Sequence, residues 1–184
     1  SQALATALVW ATVAPVLLGG PVVVGDLPWA YPVGTLRMRL DALGAFFLAW
    51  SLPMTLLGSL YAVGYLRRYL DSPRHLGLHF ALLNLTSLSF VLVYTGDHAL
   101  VFLVGWEIAA LAAWLLVIWD HTNQKVRFAG FNYLVSTHIG LIFLVAAFMI
   151  LYTHAASWDL LSFGLWLQQH PGAERNGVFL LLVA

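Results

Sequence analysis

The sequence predicts an all-α membrane protein, a polytopic bundle of transmembrane helices. Of its 184 residues, 61% are hydrophobic and 9% are charged, and the mean hydropathy is +0.87. Soluble domains are typically about 45–50% apolar and about 25% charged. Several apolar stretches also approach or exceed the roughly 20 residues that a helix needs to cross a bilayer. The net charge of zero argues against a nucleic-acid partner and against binding through a polybasic surface.

Five full spans and a shorter apolar segment are expected along the chain. The spans cover approximately residues 3–24, 43–66, 79–94, 99–119 and 128–152. The first is interrupted by Pro15 and by a Gly-Gly-Pro run, and a loop over residues 26–39 follows it. Residues 159–169 are expected to form a short interfacial helix that Asp159 caps. Residues 177–184 would extend only about 12 Å as a helix, too short to cross a bilayer. Residues 1–184 are therefore predicted to be a single transmembrane domain that is incomplete at the C-terminus and, because it starts at Ser1 without a Met, at the N-terminus.

Basic residues set the expected orientation, because cytoplasmic loops carry an excess of Lys and Arg. Two short loops, 67–78 and 120–128, fall on the same side of the predicted bundle and share most of the basic residues: Arg67, Arg68, Arg74, Lys125 and Arg127. We therefore expect these loops in the cytoplasm and the protein in the inner membrane of a prokaryote.

Glu107 is the first candidate site residue. It lies near the middle of residues 98–119, which contain no other Asp, Glu, Lys or Arg. A charged side chain at that depth costs about 2.5–3.5 kcal/mol on insertion scales, so intramembrane acids commonly mark ion pathways. Burial favours the protonated acid and a nearby cation favours the carboxylate, which together can make a proton carrier. The alternative is a protonated glutamic acid that makes one interhelical hydrogen bond.

His138 is the second candidate, near the middle of the fifth predicted span. An imidazole exchanges protons near neutral pH, which favours a relay. The alternative is a neutral histidine hydrogen-bonded between helices. Polar residues of the third span could hold waters or bond neighbouring helices, and simple bonding is the preferred interpretation: Asn84, Thr86, Ser87 and Ser89.

No cofactor or metal is predicted within this chain. It lacks cysteine, which excludes thiolate zinc sites and cysteine-ligated iron–sulfur clusters. His75 and His79 have the spacing of a helical metal pair, but Asp71 is the only nearby third ligand, and a solvated membrane edge is preferred. Bis-histidine haem ligation is disfavoured because only His138 lies deep in a span.

Four short segments resemble one protein family in their order and spacing. They are Leu40-Asp41-Ala42-Leu43 before a span, Asp97 before the span of Glu107, Gly105-Trp106-Glu107 at its centre, and Thr137-His138-Ile139-Gly140 in the following helix. The family is that of the antiporter-like, proton-conducting membrane subunits shared by respiratory complex I, Mrp-type sodium/proton antiporters and membrane-bound hydrogenases. The resemblance covers about residues 38–152, and Trp106-Glu107-Ile108 with Thr137-His138 is most similar to the formate hydrogenlyase-type branch.

The resemblance implies an inverted-repeat transporter fold in which Glu107 partners a lysine on a later helix. The only lysine of this sequence, Lys125, lies in a loop. We therefore expect the native chain to continue past Ala184 and to carry a lysine within two or three turns. Complex I members often have an arginine in place of His138 and an acid in place of Leu141, so that ion pair is absent here.

The expected function is translocation of H⁺, or of Na⁺ against H⁺, within a membrane-bound respiratory or hydrogenase complex. Glu107 would carry the proton and His138 would relay it. The expected partners are other membrane subunits, the lipid bilayer and H⁺ or Na⁺, with any redox chemistry of the oxidoreductase complex in partner subunits. Two alternatives stay open: a structural subunit that no longer transports ions, and a solitary transporter that uses Glu107 as a cation site.

Overall fold

The computed structural model describes residues 2–28, 35–70 and 76–183, and this part is mostly helical. The helices are α1 (Gln2–Leu17), α2 (Ala42–Tyr65), α3 (Leu76–Thr95), α4 (Ala99–Val117), α5 (Gln124–Ala155), α6 (Leu160–Gln169) and α7 (Ala173–Val183). Strands β1 (Val23–Leu27) and β2 (Leu36–Leu40) form an antiparallel hairpin between α1 and α2. Single 3₁₀ turns extend α2 over Leu66–Tyr69 and α4 over Ile118–Asp120.

Helices α2 to α5 are long and apolar enough to cross a membrane, and α4 does so together with its 3₁₀ turn. These four match four of the predicted spans. Polar side chains cap the N-termini of three of these helices. Asp41 Oδ1 accepts a hydrogen bond from the Gly44 N–H at 2.9 Å at the start of α2, and His98 and Asn123 cap α4 and α5 in the same way. The polytopic helical bundle predicted from the sequence is therefore confirmed, and the chain is an integral membrane protein.

The first predicted span ends earlier than expected. Helix α1 has 16 residues and stops at Leu17, whereas the prediction extended to residue 24. Gly19 has φ +88°, a left-handed conformation suited to glycine, and the Gly20 N–H donates to the Pro15 carbonyl at 2.9 Å. The run Gly19-Gly20-Pro21 thus closes the helix instead of interrupting it.

The prediction of a loop over residues 26–39 is wrong at both ends, because residues 26–27 and 36–39 belong to the hairpin, whereas residues 29–34 lie outside the described part. Val23 pairs with Leu40 and Asp26 with Arg37, whose half-exposed side chains form an ion pair at 3.4 Å. Met38 of β2 makes a further bridge to Gly96, between α3 and α4. The hairpin therefore lies at the end of the bundle where α4 begins, which we call the hairpin end.

Helices α3 and α4 approach closely at Gly105, the first of three small residues at four-residue intervals on one face of α4, with Ala109 and Ala113. A Cβ at Gly105 would lie 2.9 Å from the Leu92 Cβ and 3.1 Å from the Val93 Cγ2, so a larger residue would push the helices apart. Ala109 and Ala113 continue this face but line a cavity between α3, α4 and α5. The close approach is thus confined to one turn of α4.

Two apolar clusters of buried residues hold the helices together. One joins α1 and α2 through residues such as Val13 and Leu48. The other joins α4, α5, α6 and α7 through Phe148, Phe163 and Val178, among others. Helix α6 covers the predicted range, but the Asp159 side chain does not cap it: Asp159 Oδ2 instead accepts from the Ser157 hydroxyl at 3.1 Å. The predicted cap is therefore wrong, although Asp159 occupies the N-cap position.

Candidate functional site: a paired acid and base within the membrane

Glu107 and His138, the two predicted site residues, are in direct contact. His138 Nε2 lies 3.2 Å from Glu107 Oε1. Glu107 lies in the middle of α4 and His138 in the middle of α5, and the two helices are antiparallel neighbours connected by residues 118–123. The pair thus joins two adjacent spans at a shared depth, well away from either end of the bundle.

The hydrogen bonds of His138 limit how many protons the pair holds. Its other ring nitrogen, Nδ1, lies 2.8 Å from the Leu134 carbonyl oxygen, which can only accept. Nδ1 therefore carries a proton. Nε2 then either accepts a proton from neutral Glu107 or, as part of an imidazolium, donates one to the carboxylate. One proton is shared across the contact, and it can sit on either residue.

The pair is open on one side. The Glu107 side chain is 32% exposed and that of His138 is 41% exposed. Within the described part of the chain, no lysine or arginine forms an ion pair with Glu107. Because polar groups that face hydrocarbon are costly, this side requires protein or water against it in the membrane.

A cavity of about 290 Å³, here the central cavity, lies between α3, α4 and α5. Its walls are mostly apolar, and its hydroxyl-bearing residues are Thr86, Tyr94, Tyr133 and Thr137. Thr86 and Thr137 donate to carbonyls of their own helices, at 2.9 Å and 3.0 Å, and Ser87 of α3 accepts from Gln2 of α1 at 3.0 Å. The polar residues of the third span therefore bond within and between helices, the interpretation that the sequence favoured.

A second cavity of about 550 Å³, here the hairpin-end cavity, lies where β2, α2, α4 and α6 meet. Arg39, Asp41 and Asp97 contribute its charged walls. Desolvation raises the pKa of the Asp97 carboxyl, and the charge of Arg39 partly offsets that rise. The sequence indicated Asp97 only through the family resemblance. Its burial could not be predicted because it depends on the bridge between β2 and Gly96.

His98 is a buried residue at the hairpin end that was not among the site residues predicted from the sequence. Its side chain is almost fully buried, and Nδ1 accepts a hydrogen bond from the Leu100 N–H at 3.2 Å. Desolvation lowers the pKa of His98, and the negative charges of Asp159 and Asp97 partly offset this lowering. The position just before an apolar run was an available clue, since a capping side chain is expected there.

Acidification is expected to weaken the start of α4 through His98. A protonated Nδ1 cannot accept the Leu100 N–H, so the cap requires the neutral ring. With a folded-state pKa below the ordinary 6.5, this contribution is complete above pH 6.5 and is lost as the pH falls through the lower value. Thermal unfolding in detergent should show His98→Ala destabilised at pH 7.5 by about 1 kcal/mol, whereas His98→Asn keeps the cap.

The matched comparison is the change in stability of each variant between pH 7.5 and pH 5. Titration of Asp97 and Asp159 affects both proteins, so the difference between native and His98→Asn isolates His98. The native protein should lose more stability than His98→Asn over this range. Equal losses would contradict the capping role.

His79 locates the opposite end of the bundle. Its ring packs edge-on against Trp119, with centroids 4.7 Å apart, so the start of α3 lies beside the end of α4. This contact puts the two basic loops at the same end, as predicted, although residues 71–75, including Asp71 and His75, lie outside the described part. In the described residues, no three His, Asp or Glu side chains are grouped in a way that could hold a metal.

Comparisons with known proteins identify relatives among membrane subunits. Residues 96–184 match the family model described as NADH:quinone oxidoreductase/Mrp antiporter, TM. An uncharacterized protein of Mycobacterium tuberculosis (strain H37Rv) is 34% identical over 73% of the chain and 21% of its own length. Hydrogenase-4 component B of Escherichia coli (strain K12) is 30% identical over 79% of the chain and 21% of its own. NADH-quinone oxidoreductase subunit N of Methylococcus capsulatus is 28% identical over 95% of the chain and 35% of its own.

The chain spans about a fifth to a third of the length of these relatives. The matched region contains both members of the Glu107–His138 pair and the buried turn of Asp97 and His98. The four-span bundle, the family model and the relatives lead to one assignment. The chain belongs to the family of antiporter-like membrane subunits found in NADH-quinone oxidoreductases, Mrp antiporters and membrane-bound hydrogenases.

Proposed function

We propose that this protein translocates protons, or sodium ions against protons, as an antiporter-like subunit of a membrane-bound oxidoreductase complex, with Glu107 as the proton carrier. The observation that carries the proposal is the 3.2 Å contact between Glu107 and His138 in the middle of two adjacent spans. Named relatives are subunits of NADH-quinone oxidoreductase and a component of hydrogenase-4, which supports other membrane subunits as partners.

The proposed mechanism is a change in where the shared proton resides. A cation beside Glu107 favours the carboxylate and moves the proton to His138, and withdrawal of the cation returns it to the acid. His138 can accept and release this proton because its Nδ1 stays bonded to the Leu134 carbonyl. No redox group is needed within this chain for the cycle.

The open side of the pair is where the cation would act. Helix α7 packs against α5 in the same cluster as Ala147 and Phe148, two to three turns from His138. A lysine on a later helix, as the family resemblance implies, could approach the pair if that helix also packs beside α5. Such a residue would also cover part of the exposed carboxyl and ring, which reduces the cost of holding them in the membrane.

Orientation follows the distribution of basic residues, and it is also a proposal. Ser72→Cys and Asn123→Cys, introduced separately, should both react with an impermeant thiol reagent only from the cytoplasmic side, because the basic loops stay in the cytoplasm. Labelling in right-side-out and inverted vesicles measures this. Labelling of the two positions from opposite sides would contradict the antiparallel arrangement of α3 and α4.

Proton uptake by vesicles that contain the complete complex tests the function itself. Loss of uptake on replacement of Glu107 supports the carrier, and unchanged uptake would favour a structural subunit. Purification of the protein with no other membrane subunit would instead favour a solitary transporter.

A further inference from the structure

Two cavities described above share a wall. The hairpin-end cavity and the central cavity are both lined by Val93, Tyr94 and Trp106. The first is bounded by charged residues at the end of the bundle, and the second by hydroxyl-bearing residues deeper in the spans. A water molecule occupies about 30 Å³ of liquid, so both cavities have room for several waters, and the charged walls of the hairpin-end cavity favour water more than the mostly apolar walls of the central cavity. What separates them therefore decides how far water reaches from the hairpin end.

The three shared residues are not equally fixed. Val93 lies against the closely packed Gly105, where α3 and α4 have no spare room. Tyr94 is stacked on both sides, with ring centroids 5.3 Å from Phe47 and 6.0 Å from Phe90. Among the described aromatic residues, Trp106 stacks on Phe102 alone, with ring centroids 6.0 Å apart, and 40% of the residue is exposed. The indole is the largest of the three side chains, and Trp106 is the most exposed of the three residues.

We propose that Trp106 is a partition between the two cavities, and that displacement of its indole joins them into one water-accessible space from the hairpin end to the middle of the membrane. Trp106 directly precedes Glu107 on α4, but Glu107 is not among the described residues that line either cavity, so the proposal concerns the depth that water reaches and not contact with the carboxyl. The proposal rests on the two cavities and their shared wall. It does not depend on whether Glu107 translocates protons.

The test measures access to the central cavity. Residues 1–184 contain no cysteine, so Thr137→Cys places a new thiol on the wall of that cavity. A charged, membrane-impermeant methanethiosulfonate is applied from the hairpin end to the complete protein in vesicles, and the protein without the new thiol gives the background. Gly164→Cys, on the wall of the hairpin-end cavity, reports that the reagent has entered.

With Trp106 present, the thiol at position 137 should react slowly and the one at position 164 quickly. Minor open states are typically about 0.1–10% populated, so Trp106→Ala should accelerate labelling at position 137 at least about tenfold. Trp106→Phe, which keeps a smaller ring and serves if the alanine variant does not insert, should give an intermediate rate. Trp114→Ala is the matched control, since Trp114 lies on the same helix but lines neither cavity.

Two results would overturn the proposal. One is equal labelling at position 137 with and without the Trp106 indole while position 164 reacts. The other is an equal acceleration by Trp114→Ala, which would indicate a general loosening of α4. Because labelling needs no turnover, either result is distinct from a failure of the proposed ion translocation.

Discussion

Replacement of Glu107 by Gln is expected to abolish ion translocation, with a loss of at least about 100-fold, because a positioned acid or base typically contributes about 10²–10⁴-fold. The amide has nearly the same shape as the carboxyl but cannot take up or release a proton. Its N–H₂ group can still donate to His138 Nε2, so the contact between α4 and α5 is preserved. Insertion and assembly should therefore survive the change.

The measurement is proton uptake driven by the electron donor of the complete complex, compared at equal amounts of assembled protein. Glu174→Gln is the matched control, because Glu174 is the other glutamate of this sequence and lies in the exposed first turn of α7. It should leave uptake unchanged. Normal uptake by Glu107→Gln would remove the carrier and leave the structural-subunit hypothesis in its place.

Features that depend on local pattern were predictable from the sequence. Four spans follow from uninterrupted apolar stretches, and the depths of Glu107 and His138 follow from their positions within those stretches. Close packing at Gly105 also accords with a local pattern, since small residues at four-residue intervals permit it. For the spans, the cost of unpaired backbone polar groups in hydrocarbon favours helices.

Features that depend on contacts between distant segments were not predictable. The pairing of Glu107 with His138 depends on how α4 and α5 rotate against each other, which polar positions alone do not fix. The hairpin was missed because its strands are separated by a proline-containing segment and are held in part by the bridge to Gly96. The same bridge buries Asp97 beside His98, so the polar cluster at the hairpin end became visible only in the structure.

Replacement of His138 by Ala is expected to slow translocation by at least about tenfold while the protein still assembles, a smaller effect than loss of the carrier. Alanine removes the proton acceptor at Nε2 and leaves Glu107 without a partner among the described residues. Water in the vacated space can still reach the carboxyl, so some transfer continues. The loss should appear in the rate of proton uptake and not in the amount of assembled complex.

His138→Arg is expected to retain more activity than His138→Ala. A guanidinium is always charged and can bind the Glu107 carboxylate through its fork of donors, which preserves the counter-charge although it cannot relay the proton itself. His154→Ala is the matched control on α5, because the His154 ring stacks on Trp166 at 4.6 Å, far from the pair. If His138→Ala pumps at the native rate, His138 is a structural histidine, and the single shared proton of the pair plays no part in translocation.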